Sequence, residues 1–288
     1  MTARRWLGRL AAAGLAAVMA VTQATACTGI MLRAKDGSTV SGRTLEFGIF
    51  IDTDVVLVPR GMAFTGLTPL GDGMEWKATY AAVGTIAFGQ LAILDGMNEK
   101  GLSVGAFYFP TFAGYTETTE ANRADSLSMA DFPSWLLTSF ATVEEVRAAI
   151  ADGKVAIAPT ILPGWPPEVQ PFHYVVYDRT GASIVIEPVA GSLQVFDNPL
   201  GVITNSPGFD WHMTNLRNYI ALDPRNVPSI TVDDTTFKAL GQGSGMLGLP
   251  GDFTPPSRFV RAAVFSATAV PPADAASGVL QVFHILNA

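Results

Sequence analysis

The hydrophobic pattern of the chain changes period several times, and each change predicts an element. Residues 28–34 and 39–44 are apolar and β-branched and are joined through Asp36-Gly37. That is the signature of a hairpin, with Cys27 at the start of its first strand. Residues 55–58 make a short strand ended by Pro59, and 77–88 and 91–96 read as further strands. A turn at 98–101 leads into another strand at 102–109. Residues 127–140 then carry apolar side chains at helical spacing, with Pro133 inside the run. Thr142 and Glu145 form a capping box for a helix through Ile150. Strand character returns at 172–177 and resumes at 183–187 after a turn at 178–181, and 193–196 and 201–204 extend that sheet. Residues 211–222 read as a helix stopped before Pro224, 241–251 are glycine-rich, and 257–268 are helical. Strand blocks separated by helix blocks predict two antiparallel sheets with helices outside, an α+β layered sandwich.

The first 26 residues do not fit this pattern. Arg4, Arg5 and Arg9 form a basic start, residues 10–21 are uncharged and rich in Ala and Leu, and 24–26 read Ala-Thr-Ala. These are the parts of a cleavable signal peptide, and the apolar run is shorter than the ~20 residues that span a bilayer. The predicted division is a signal peptide over 1–26 and one domain over 27–288, with the mature chain periplasmic or secreted and free of the membrane. Cleavage removes three arginines and no acids, taking the formal net charge from −7 to −10. Nucleic acid and anionic membrane surfaces select basic patches, so neither is an expected partner. A homo-oligomer is compatible with the sequence but not specified by it.

Cleavage also changes the chemistry of Cys27, the single cysteine of the chain. One cysteine in an exported protein cannot form an internal disulfide, so its presence calls for another explanation. As residue one it would carry a free α-amine, which ordinarily titrates near about 7.7–8.0 and can accept the thiol proton. A thiolate so formed suits attack on an amide or other acyl carbon, through an oxyanion and a thioester. Arg43 follows Cys27 by 16 residues on the returning hairpin strand, near enough to favour the thiolate. Glu46 could hold the amine or the thiol proton, and Asn205, at a strand end in Thr-Asn-Ser-Pro, could donate to an oxyanion.

Five segments in order carry a family resemblance. They are Cys-Thr-Gly after the leader, Gly-Arg-Thr-Leu-Glu, Asp-Gly-Met-Asn-Glu-Lys-Gly-Leu, Thr-Asn-Ser-Pro, and Leu-Pro-Gly-Asp followed by Ser-Arg-Phe-Val-Arg-Ala. Together they resemble the choloylglycine hydrolase family, which includes penicillin V acylases and bile salt hydrolases among the N-terminal nucleophile hydrolases. The resemblance implies an αββα four-layer sandwich, hydrolysis of linear amide carbon–nitrogen bonds, and no cofactor or metal. It implies Cys27 as nucleophile, Arg43 beside it, Tyr108 and Asn205 as the two oxyanion donors, and Arg258 rather than Arg261 as the second arginine. Glu46 stands where the family commonly has Asp. The partner implied is a small acyl amide. Its apolar pocket is expected from Phe47 and Phe107, with Phe50, Met74, Trp76 and Phe109 around them. Tyr108 leans towards penicillin V-type acyl groups, N-acyl homoserine lactones fit as well, and conjugated bile salts are the alternative within the family. The family continues beyond the equivalent of 279–286 into further strands, so a chain stopping at Ala288 is expected to leave a sheet edge open.

Other readings of the same residues are weaker. A cysteine at a signal junction also suggests a lipoprotein or a binding module lipidated there, but Ala24 replaces the usual leucine. Gly101-Leu-Ser103-Val-Gly105 matches a nucleophile elbow, yet Ser103 lies within an alternating strand rather than at a strand–helix turn. The 241–245 glycines lack a phosphate-loop lysine. His173, His212 and His284 have no metal-ligand spacing. Trp135, Trp165 and Trp211 suit either core or pocket.

Overall fold

The computed structural model describes residues 26–46, 48 and 50–288. The leader expected over 1–26 therefore lies outside the described residues apart from Ala26, as does Phe47. In chain order, strands β1 (Ala26–Arg33) and β2 (Thr39–Glu46) are followed by β3 (Thr53–Val58), β4 (Ala63–Thr68), β5 (Gly71–Lys77) and β6 (Ala82–Ala87). Next come β7 (Ile93–Asn98), β8 (Ser103–Tyr108), β9 (Ser126–Ser128), α1 (Asp131–Ser139), α2 (Val143–Ala151) and β10 (Ala156–Ala158). Then follow β11 (Phe172–Tyr177), β12 (Ser183–Val189), β13 (Ser192–Asp197), α3 (Phe209–Asn215), β14 (Ile230–Val232), β15 (Thr235–Phe237), α4 (Pro255–Thr268) and α5 (Ala275–Leu286).

Seven of these strands form one antiparallel sheet in the order β13-β12-β11-β8-β7-β6-β3. Its central strand β11, Phe-His-Tyr-Val-Val-Tyr, is buried at every position, because both faces of the sheet are covered. Alternation sorts the side chains between two cores. Tyr174, Val176, Ile184, Ile186, Val104 and Ala106 enter a core closed by Phe132, Leu136 and Leu137 of α1. Val175, Tyr177, Val185 and Phe107 enter a second core with Cys27, Ile30, Phe259 and Val282.

That second core is roofed by the β1–β2 hairpin, with α4 and α5 packed outside it. The layers are helix, sheet, sheet and helix, the expected αββα order. The hairpin turns at Gly37, whose φ of 88° is easy only for glycine. The Asp36 carboxylate accepts the Ser38 N–H at 2.9 Å there. This sets Cys27 opposite Leu45 and Gly29 opposite Arg43. Directly opposed residues share a face, so Cys27, Gly29, Arg43 and Leu45 look towards the large sheet. Thr28, Ile30 and Gly42 look towards the helices, where a Cβ on Gly42 would meet Val282 at 2.5 Å.

The structure corrects the sequence reading at several points. Residues 201–204 do not extend the large sheet. Asn198 accepts the Val202 N–H at 3.2 Å, and Gly201 (φ 65°) turns the chain across to the hairpin. There Ile203 and Gly29 exchange backbone hydrogen bonds of 2.8 and 3.0 Å. Residues 77–88 are two strands, because the Thr79 and Tyr80 N–H groups both turn to the Thr138 carbonyl. The helix expected over 127–140 begins only at Asp131. Ser126–Ser128 is a strand instead, and the Asp131 carboxylate accepts the Ser128 hydroxyl at 2.7 Å. Pro133 is the third helical residue, where no intrahelical N–H is needed. The helix expected over 211–222 ends at Asn215 and continues as a 3₁₀ turn, Leu216–Tyr219. No helix among the described residues is long and apolar enough to cross a membrane.

At Gly29 the hairpin approaches the sheet closely. A Cβ there would lie 2.6 Å from Phe107 Cζ and 2.8 Å from Ile203 Cγ2. Gly29→Ala should therefore destabilise the fold by ~1–3 kcal/mol, read as a lower urea midpoint. An unchanged midpoint would show that the layers are not in close contact at this position.

Candidate active site

β1 carries Cys27 to the floor of a narrow cleft of about 40 Å³ at one end of the two sheets. The side chain is 1% exposed. Side chains from two other parts of the chain converge on its backbone. The Cys27 N–H donates to Asn205 Oδ1 at 2.9 Å. Arg258, from α4, donates through Nη1 to the Cys27 carbonyl and to Thr28 Oγ1, and through Nη2 to Asn205 Oδ1 at 2.7 Å. Pro255 at the first position of α4 fits its fixed φ, and Arg258 one turn later is buried against β1.

Asn205 links this arrangement to β8. Its Nδ2 donates to the Tyr108 carbonyl at 2.7 Å, and among the described residues the second Nδ2 hydrogen has no other acceptor. Phe109 donates its N–H to Pro171 in the neighbouring strand at 2.7 Å. By alternation Tyr108 turns its own N–H and C=O the other way, to the side on which Asn205 sits. Two buried histidines fix the segment carrying Asn205 from behind. His212 Nε2 donates to the Asn205 carbonyl at 2.8 Å, and His173 lies between the Thr204 carbonyl at 3.0 Å and Glu187 Oε1 at 3.1 Å. Burial pushes the His212 pKa down to about 4, with the Asn205 carbonyl opposing the shift.

Arg43 approaches Cys27 from the hairpin's second strand. Its Nη1 donates to both Asp95 oxygens at 2.9 and 3.0 Å and to the Ala106 carbonyl at 2.6 Å, and its Nε donates to Thr44 O at 3.1 Å. The Phe107 ring lies 4.0 Å beneath the guanidinium carbon. Burial works against the Arg43 charge, but Asp95 and Cys27 outweigh it and hold the guanidinium above the ordinary arginine pKa. Glu46 is exposed at the end of β2, opposite Ala26, and makes no hydrogen bond among the described residues. Its charge acts on Arg258, where it partly offsets the lowering caused by burial. Arg261 points elsewhere and holds the Pro250 and Asp252 carbonyls.

The cleft wall differs from the one expected. It is built by Leu45, Ile51, Phe88, Leu94, Trp165 and Phe172 together with Tyr108. Phe88 and Trp165 meet edge-on at 5.2 Å between centroids. Phe107 lies instead in a separate cavity of about 340 Å³ on the far side of Arg43. Phe109 stacks on His173, Trp76 stacks on Phe64, Met74 lies in the first core, and Phe50 is exposed. Trp165 thus lines the cleft, Trp135 is core, and Trp211 is half exposed. Ser103 sits at the opposite end of β8 from Tyr108, 3.4 Å from the Ser41 hydroxyl, in a strand and not at an elbow. Asp95 opens the Asp-Gly-Met-Asn-Glu-Lys-Gly-Leu segment, and an acid inside an apolar strand was the one sign specific to it. His212 gave no signal beyond lying seven residues after Asn205.

The helix–sheet–sheet–helix fold thus brings a buried cysteine, two arginines and an amide side chain together at one end of its two sheets. Comparison with known proteins identifies the class of enzyme. Residues 27–288 match the linear amide C–N hydrolases, choloylglycine hydrolase family. A bile salt hydrolase/transferase of Clostridium perfringens is 35% identical over 261 residues, covering 91% of this chain and 78% of the relative. A solved mutant of the conjugated bile acid hydrolase from Clostridium perfringens superposes with a TM-score of 0.78 at 34% identity, covering 91% of this chain and 78% of that one. A penicillin V acylase of Pectobacterium atrosepticum is 26% identical over 183 residues, 61% of this chain and 47% of the relative. The solved penicillin V acylase from Agrobacterium tumefaciens shares the fold, with a TM-score of 0.71 at 21% identity, covering 91% of this chain and 71% of that one. The chain belongs to the choloylglycine hydrolase family and is a hydrolase of linear amide carbon–nitrogen bonds.

The buried His212 gives a pH test of the support behind Asn205. Its pKa is lower folded than unfolded, so the unfolded chain binds the extra proton first as pH falls. Stability should decline between about pH 6.5 and about pH 4, by at most ~1.4 kcal/mol per pH unit from this residue. His212→Gln keeps an N–H donor but cannot titrate. Its urea midpoint should fall less between pH 7 and pH 5 than the wild-type midpoint does. Parallel declines would show that His212 is not held neutral.

Proposed function

We propose that the chain is exported and cut after Ala26, and that Cys27 then acts as an N-terminal nucleophile on an amide with an apolar acyl group. The observation that carries this reading is a single run of hydrogen bonds. Cys27 N is bonded to Asn205 Oδ1, and the same carboxamide is bonded through Nδ2 to Tyr108. After cleavage that nitrogen is the α-amine. It takes the thiol proton as sulfur attacks the amide carbon. The oxyanion accepts hydrogen bonds from the second Asn205 Nδ2 hydrogen and the Tyr108 N–H, and its collapse expels the amine, which leaves with the proton. Water, deprotonated by the same α-amine, then hydrolyses the thioester and regenerates Cys27. Arg43 supplies positive charge beside the sulfur, Arg258 fixes Cys27 and Asn205 relative to one another, and Glu46 supplies negative charge at the open end.

The narrow aromatic cleft favours a flat aryl-acetyl or linear acyl group, as in penicillin V or an N-acyl homoserine lactone. The 35% identity to the Clostridium bile salt hydrolase/transferase favours a conjugated bile acid instead. Turnover of penicillin V, a long-chain acyl homoserine lactone and a glycine-conjugated bile acid, measured side by side, separates the two. The cleft predicts that the first two are hydrolysed faster, and a preference for the bile acid would overturn that choice. Asn205→Ala should lower kcat on the order of 10²–10³-fold, and a near-neutral effect would remove Asn205 from the oxyanion site. Intact mass of the exported protein should show an unmodified Cys27 at residue one. A diacylglyceryl adduct would contradict the amidase in favour of a lipoprotein.

A further inference from the structure

Arg43 does not hold its place by itself. Of its donors, Nε is spent on Thr44 O and Nη1 on Asp95 and Ala106 O. Nη2 is buried and has no partner among the described residues. Cys27 lines the same cleft as this guanidinium, and its charge adds to the raising of the Arg43 pKa. The group that decides which way the fork points is therefore the Asp95 carboxylate.

The fold is adapted to put it there. The β6–β7 register slips between Thr85 and Ile86, so that Thr85 pairs with Asp95 and Ile86 with Ile93. The extra residue, Leu94, enters the Cys27 cleft, while Asp95 turns to the hairpin side. Bulges of this kind re-aim side chains beside functional sites. Opposite Asp95 on β8 stands Gly105, where a Cβ would come within 2.9 Å of Asp95 Oδ1. The Phe107 ring then closes the stack from below, and Gly29 makes room for that ring. Two glycines, one ring and one bulge thus serve a single Arg43–Asp95 pair.

We infer that Asp95 is a positioning residue: it fixes the Arg43 guanidinium so that Nη2 is presented to the Cys27 sulfur. Asp95 and the Ala106 carbonyl hold Nη1 while the Thr44 carbonyl holds Nε, and these points on two nitrogens set the plane of the fork as well as its distance. Removing the carboxylate has two opposed consequences. Loss of its negative charge favours the thiolate, and loss of Arg43 alignment disfavours it. Arg43 is adjacent to the sulfur and Asp95 lies behind it, so the nearer charge dominates. Among the described residues the other charged or titratable groups around the thiol are Glu46 on β2, Arg258 on α4, Tyr108 on β8 and Tyr177 on β11. In the processed chain the α-amine of Cys27 itself joins them.

The test reads Cys27 directly, so it does not need a substrate. The chain has one cysteine, so alkylation by iodoacetamide, followed by intact mass across pH, reports that thiol alone. Asp95→Ala should slow alkylation at pH 7 on the order of tenfold and move the profile to higher pH. Asp95→Asn, which keeps one acceptor oxygen and guards against misfolding of the alanine variant, should fall between it and wild type. In an Arg43→Gln background Asp95→Ala should add nothing, because Asp95 acts through Arg43. Multiplying effects, an unchanged profile, or a shift to lower pH would overturn the assignment. The amidase reading enters only in a kinetic arm, where Asp95→Ala should lower kcat with little change in KM. If wild type proves inactive on amides while the alkylation cycle holds, the amidase reading fails and this inference stands. If wild type hydrolyses amides and the cycle is additive, the reverse follows.

Discussion

The carboxamide of Asn205 is the contact on which the rest of the site depends. Its oxygen accepts from Cys27 and from Arg258, and its nitrogen donates to Tyr108. Three elements with no sequence proximity, β1, α4 and β8, are thereby tied at one side chain. An amide does this better than a carboxylate because it accepts at one end and donates at the other. It needs a rigid mount, and the buried His212 and His173 supply it by holding the Asn205 and Thr204 carbonyls. Leaving any of these buried groups unpaired would cost about 1–3 kcal/mol, so the network is stable only when complete.

The two β layers have different tasks around that contact. The large sheet is buried on both faces along its central strands and serves as a rigid platform, with β8 presenting Tyr108 at its end. The hairpin is smaller and uses strict alternation, sending Cys27 and Arg43 to the sheet and Thr28 to the helix that carries Arg258. A one-residue slip in that hairpin would exchange those faces. The Asp36-Gly37 turn and the close approach at Gly29 keep the register fixed, so the chemistry rests on backbone geometry before any side chain is considered.

Much of this was legible in the sequence, for identifiable reasons. The proximity of Arg43 to Cys27 followed from a short turn between two β-branched runs, which fixes pairing almost by counting. Asn205 was legible as a possible oxyanion donor from its strand end, but only the ordered motifs tied it and Arg258 to Cys27, since nothing local relates residues so far apart. The cleft wall was not legible. Phe88, Trp165 and Phe172 come from separate segments, and an aromatic residue carries no local mark of which cavity it will face. The same limit explains residues 201–204: an apolar run has the same period whichever sheet it joins, and only the turn at Asn198–Gly201 sends it to the hairpin. Asp95 was missed because an acid in a strand ordinarily reads as solvent-facing, and the bulge that turns it inward has no clear signature.

The proposed chemistry stands or falls on Cys27 attacking the amide carbon as the first residue of the processed chain. Acid quenching during turnover of a slow phenylacetyl- or phenoxyacetyl-type substrate, followed by intact and peptide mass, reads that step itself. The expected result is an acyl group on a chain that begins at Cys27, located on that residue and released by hydroxylamine. An acyl group on the peptide containing Ser103, or on a chain that still carries residues 1–26, would contradict it.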